Sequence, residues 1–156
     1  MRVEWLILAD FAQVIDNKLY LQGGGWDKLT VNTGFPFVKH VGIATSIVVP
    51  WTETNREGKV KIEVLTQDGL SLGKMEGTFK VGRPAELPEG VDQRAQIAVS
   101  VPLSIKKEGI YVVVAELEGE EKARVHFNVV PGPMLVIKSQ IASEGKPPSE
   151  ERGDSP

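Results

Sequence analysis

The 156-residue chain carries 18 basic and 21 acidic side chains, a net charge of −3, and no cysteine. That length suits a single domain, and folding it buries roughly 70% of the surface of the unfolded chain, enough for a core without staples. Lack of cysteine excludes disulfides, thiolate nucleophiles and Cys-based metal sites, and the scattered charge lacks the Lys/Arg clusters that nucleic-acid binding uses.

Met1–Phe11 resembles a signal peptide only superficially. Glu4 and Asp10 interrupt it, and its apolar part, Trp5–Ala9, is shorter than an h-region of roughly 7–15 residues. No run approaches the roughly 20 apolar residues of a membrane span. The expectation is a soluble, cytoplasmic protein with neither membrane nor nucleic-acid partners.

Val3–Thr30 reads as two extended runs, reversed at Asp16-Asn17-Lys18 by residues that tolerate left-handed backbone, and ends in Gly23-Gly24-Gly25-Trp26-Asp27. Val31–Pro36 is a loop by its Asn, Gly and Pro content. Val38–Val49 is a long strand with Val41, Ile43, Thr45, Ile47 and Val49 on one face and His40, Gly42, Ala44, Ser46 and Val48 on the other, ended by Pro50. Lys59–Leu65 alternates strictly, as an antiparallel strand with one wet face does. After the Gln67-Asp68-Gly69 turn, Leu70–Val81 makes one interrupted strand or two short ones, and Gly82–Gly90 is the longest loop. Gln93–Pro102 alternates again. Ile110–Leu117 and Lys122–Val130, reversed at Gly119 and Glu120, form a hairpin.

About eight short strands at regular spacing predict an all-β domain over residues 1–133, a two-sheet antiparallel β-sandwich of Ig-like type. Tyr111, just after Gly109, is placed to bond back to upstream backbone as the tyrosine corner of that fold does. Residues 134–142 are expected to be an edge strand or a docking segment. Residues 143–156, without a large apolar side chain, are expected to be a disordered tail. The runs Leu19-x-Leu21-x-Gly23-Gly24-Gly25-Trp26-Asp27, Gln67-Asp68-Gly69 and Gly109-x-Tyr111 resemble a family of small bacterial proteins catalogued as a domain of unknown function. The resemblance spans Val3–Pro133 and implies an all-β cytoplasmic protein, with no catalytic residues to carry over.

The triple glycine lacks the Lys-Ser/Thr pair and following helix of a phosphate loop, so a bulge or strand crossover is the expectation. Trp26 and Trp51 with Asp27 are the candidate ligand residues, since exposed indoles on a β-sandwich stack on sugars; packing beside the core is the plainer reading. His40 and His126 lack convergent partners nearby in sequence. Asp10, Asp16, Asp27 and Asp68 are too isolated for calcium, which takes six to eight oxygens. Arg152-Gly153-Asp154 spells an integrin tripeptide, for which chance is the better account without an export signal. There is no glycosylation sequon.

No cofactor, metal or catalytic residue is therefore expected. The leading expectation is a non-catalytic module that binds another protein or itself through a sheet face or edge. Ile110–Ala115 is apolar on both faces, so one face is either covered or an interface. A small-ligand or carbohydrate-binding module using Trp26, Asp27 and Trp51 is second, and an enzyme built around His40 or His126 is third.

Overall fold

The computed structural model describes residues 1–144. Nine strands run in chain order: β1 (Arg2–Ile15), β2 (Lys18–Gly24), β3 (Lys28–Val31), β4 (Phe37–Val49), β5 (Glu57–Thr66), β6 (Ser71–Lys80), β7 (Gln93–Ile105), β8 (Gly109–Leu117) and β9 (Glu120–Pro131). A 3-10 turn at Trp51–Glu53 follows β4, and helix α1 (Pro133–Glu144) follows β9. No helix among the described residues is long and apolar enough to cross a membrane.

Four strands form one sheet in the order β2-β1-β4-β7, and five form the other in the order β3-β9-β8-β5-β6. The all-β expectation holds. The antiparallel expectation needs one correction: β3 runs parallel to β9, with Lys28 beside Asn128 and Val31 beside Pro131. A four-residue strand without an alternation of its own gave no sequence signal for this.

Leu6, Leu8, Ile43 and Ile47 from the first sheet meet Ile62, Val113, Leu117 and Phe127 from the second in one core. Each such side chain contributes about 1.5–3 kcal/mol on burial. The edges β6 and β7 close one side: a Cβ placed on Gly73 would lie 2.8 Å from Val101 Cγ1. Only a glycine lets these strands approach.

The first hairpin forms as expected. Asp16 and Asn17 both have positive φ (49° and 60°), the requirement of the two-residue turn that matches strand twist, and Ile15 faces Lys18. β1 leaves β4 at Ala9, which pairs with both Gly24 and Gly42, and beyond that residue pairs only with β2. The hairpin then crosses the outward side of β4. A Cβ on Gly42 would stand 2.7 Å from the Ala12 nitrogen and 2.8 Å from the Phe11 carbonyl carbon.

The second hairpin also forms. Glu118 and Gly119 make its turn with φ of 54° and 80°, and Tyr111 faces Phe127 across it. Tyr111 Oη donates to the Lys107 carbonyl at 2.6 Å, the backward bond its position suggested. Burial pushes the phenol up, a shift that this bond opposes.

Residues 134–142 are not an edge strand. They lie in α1, which opens on Pro133 at a first-turn position where its missing N–H costs nothing. Residues 143 and 144 continue the helix rather than starting a tail; the rest of that expectation, and Arg152-Gly153-Asp154, lie outside the described residues.

Candidate interaction surface

Trp26 fills the crossover from β2 to β3. The Gly25 amide donates to the Leu8 carbonyl at 2.7 Å and the Asp27 carbonyl accepts from the Asn128 amide at 2.7 Å, so the chain is pinned on both sides of the indole. The ring meets Phe127 edge-on at 5.6 Å, and Phe127 stacks on Tyr111 at 5.4 Å. Trp26 is thus a half-buried plug between the sheets, and its Nε1 is buried without a hydrogen-bond partner. The exposed Asp27 side chain lies with Arg124 and His126 along a 390 Å³ groove beside it.

Trp51 is not brought to that groove. It follows β4 on the 3-10 turn, half-buried, with the Arg83 guanidinium 4.4 Å from its ring centroid. Arg83 also donates to the Trp51 carbonyl at 2.8 Å and to Thr54 Oγ1 at 2.5 Å. One face of the indole is occupied, and Trp26 and Trp51 do not form a shared stacking platform.

His40 is exposed on β4 opposite Pro102, and His126 is exposed on β9. Asp10 pairs with Lys39 at 3.3 Å, and Asp68 lies 3.8 Å from Lys107. Among the described residues no three His, Cys, Asp or Glu side chains gather as a metal site would.

Of the apolar outward residues of β8, Ile110 at the strand's start is 43% exposed, but those that follow it do not form an open face. Val112 and Val114 are only 7% and 4% exposed. Leu65 and His126 flank the first, Glu63 and Arg124 the second. These flanking side chains cover the valines, the long stem of Arg124 leaving its charged head in water. Lys61 bridges Glu116 at 2.7 Å and Glu63 at 3.2 Å over the same face. The Glu116 bond, then that of Glu63, holds the ammonium above its ordinary range.

Most of the exposed large apolar side chains lie elsewhere. Of the twelve large ones among the described residues, four are on the β1–β2 hairpin (Phe11, Ile15, Tyr20, Leu21) and four on α1 (Met134, Val136, Ile137, Ile141). In the hairpin register Gln13 faces Tyr20, so Phe11, Ile15 and Tyr20 share one side while Ala12, which is buried, and Val14 share the other. The helix packs on its own domain through Leu135. Val136 and Ser139 line a groove with Gly34, Phe35 and Lys107. At 100° per residue, Met134, Ile137 and Ile141 fall together on the opposite side. A sequence signal for the hairpin surface existed: both alternating sets of Phe11–Ile15 carry apolar residues, Phe11 and Ile15 on one side and Ala12 and Val14 on the other, and a strand of one hairpin layer can bury only one of them.

An all-β domain of two sheets and one core, with its apolar surface gathered on a hairpin and a helix, is the class of protein defined by these observations. The chain belongs to a family of unknown function, DUF6941, whose model matches residues 4–130. No curated protein matches it.

Proposed function

We propose that this protein is a non-catalytic protein–protein interaction or assembly module, an Ig-like β-sandwich resident in the cytoplasm. The observation that carries this reading is the concentration of exposed apolar residues on the β1–β2 hairpin and α1, since such patches on soluble domains mark interaction sites. The Tyr111–Lys107 bond supports the Ig-like comparison.

The test is light scattering on the full chain across a concentration range, with affinity capture, for the wild type and for two double variants: Phe11→Ser with Ile15→Ser, and Ile137→Glu with Ile141→Glu. Loss of an oligomer or of a specific partner in either variant is expected. A monomer throughout, capturing the same proteins as both variants, would sink the reading.

A ligand-binding alternative rests on the unpartnered Trp26 Nε1 and the groove shared by Asp27, Arg124 and His126. Quenching of tryptophan fluorescence by a glycan panel is the cheap check, and a flat response across the panel removes it.

A further inference from the structure

We propose that β2 is a self-recognition edge: two copies of the chain pair β2 to β2, antiparallel, about a two-fold axis through Tyr20. The two four-stranded sheets then continue as one of eight strands. This rests on the interaction reading above and names its partner as a second copy.

The turn geometry decides which groups are free. A two-residue turn at Asp16-Asn17 makes Ile15 and Lys18 a hydrogen-bonded pair. Alternation makes Gln13/Tyr20 and Phe11/Gln22 the next such pairs. Lys18, Tyr20 and Gln22 therefore spend their backbone groups on β1. Leu19 and Leu21 aim theirs at the open edge, where β2 ends its sheet.

A two-fold axis through Tyr20 sets Leu19 opposite Leu21 of the second copy, and Leu21 opposite its Leu19. Both are hydrogen-bonding positions, so four outward groups from each copy are satisfied together. This register is self-complementary in charge as well. Lys18, the only ionised side chain of β2, faces the second copy's neutral Gln22. The two lysines stand four residues apart, about 14 Å at about 3.4 Å per residue, beyond the roughly 8–10 Å screening length.

Tyr20 is 50% exposed and lies between Phe11 and Ile15, each 45% exposed, on the same side of the hairpin. Pairing joins two such triplets into one apolar strip of six side chains. The other sheet edges are blunted in the usual ways. β3 has four residues, β7 carries Pro102 and abuts β6 at Gly73, and β6 bears Lys74, Glu76 and Lys80. β2 carries no proline, and its one lysine sits at its start.

Because the chain has no cysteine, Tyr20→Cys places its sole thiol on the proposed axis. Facing residues at such a non-hydrogen-bonded site have Cα atoms about 4.5 Å apart, within the span of about 4.4–6.8 Å that a disulfide bridges. Under mild oxidation at micromolar concentration, full-length Tyr20→Cys is expected to form a covalent dimer. Lys18→Cys and Val38→Cys are expected to stay monomeric. Leu21→Pro removes one outward N–H without touching the β1 ladder, and should halve the mass measured for the non-covalent wild type while leaving the far-UV spectrum unchanged.

Tyr20→Cys linking no faster than Val38→Cys overturns the proposal. So does an oligomer that survives Leu21→Pro. If only the Ile137/Ile141 variant dissolves the oligomer, or a foreign strand is captured in place of a second copy, self-pairing fails while the assembly reading stands. A monomer throughout that captures no partner removes both.

Discussion

The middle of the outward face is covered on both sheets, by opposite means, while Val38 and Ile110 near the strand starts stay exposed. On the four-stranded sheet the cover is backbone: the β1–β2 hairpin folds across β4, and the residues beneath it are small. Gly42 admits the hairpin, and Ala44 and Ser46 are fully buried. On the five-stranded sheet the cover is side chain: Leu65 and His126 flank Val112, Glu63 and Arg124 flank Val114, and the Lys61–Glu116 pair stands next along the strands. A backbone cover demands small residues and tolerates no added atom. A cover of long charged stems accommodates large residues beneath and yields when one stem is lost.

The sharpest break of that contrast is Gly42→Val. Its Cβ would meet the backbone of Phe11 and Ala12 at 2.7–3.1 Å, so the hairpin must lift. We expect a loss of about 3 kcal/mol, at the upper end of overpacking costs, in urea unfolding. Gly77→Ala on β6 is the matched control: its Cβ meets only Met75 Sδ at 3.8 Å, and a change within about 0.5 kcal/mol is expected. Equal losses at the two positions would refute the backbone cover.

Val114→Ala probes the side-chain cover. An outward valine in water would cost almost nothing to truncate, but one at 4% exposure should cost about 2 kcal/mol. Val38→Ala, at 66% exposure on β4, should leave the urea midpoint nearly unmoved. Tyr111→Phe is smaller still, a loss of about 1 kcal/mol for the bond to Lys107. It tests whether that bond anchors the start of β8; an unchanged midpoint would show that ring stacking on Phe127 suffices.

The two covers also explain what the amino-acid pattern could reveal. Alternation in β9 and the turn residues Asp16-Asn17 and Gly119 made the two hairpins readable, because period and turn chemistry are local. The second turn nevertheless falls at Glu118-Gly119, one residue before the Gly119-Glu120 reversal read from the sequence. Gly42-x-Ala44-x-Ser46 reads as the mild, wet side of a strand; that it lies beneath the strand's own neighbour depends on a bend at Ala9 that no local pattern encodes. Pro131-Gly132-Pro133 reads as a terminator of strands, which it is, while Pro133 also starts α1. Trp26 and Asp27 read as candidate ligand residues or as packing beside the core, while the contacts they make, with Phe127 and Asn128, come from a hundred residues downstream. The exposed face of the first hairpin was missed because a run apolar on both sides looks like core until its cover is known.

The least costly change separates the covers by pH. Glu4, at a bulge in β1 between Val3 and Trp5, accepts from Arg94 Nε at 2.6 Å and Nη2 at 2.7 Å and from the buried Ser46 hydroxyl at 2.8 Å. The Arg94 bonds first, then Ser46, hold its carboxyl below the ordinary carboxylate range against a weaker opposing effect of burial. Glu121 on the other sheet is likewise lowered, chiefly by its Arg124 bonds, but Arg124 sits three residues away on the same strand and no buried hydroxyl assists. A carboxyl whose folded pKa is depressed contributes stability that is full above its unfolded pKa and disappears as pH falls through the folded one. Stability should therefore fall on acidification, and Glu4→Gln should flatten that acid limb more than Glu121→Gln, because it removes a tie between β1 and β7 rather than a local pair. Urea midpoints measured from neutral pH downward give the comparison. If Glu121→Gln flattens the limb equally, the tie across the first sheet adds nothing to the pH dependence, and the hairpin's backbone alone accounts for that sheet's seal.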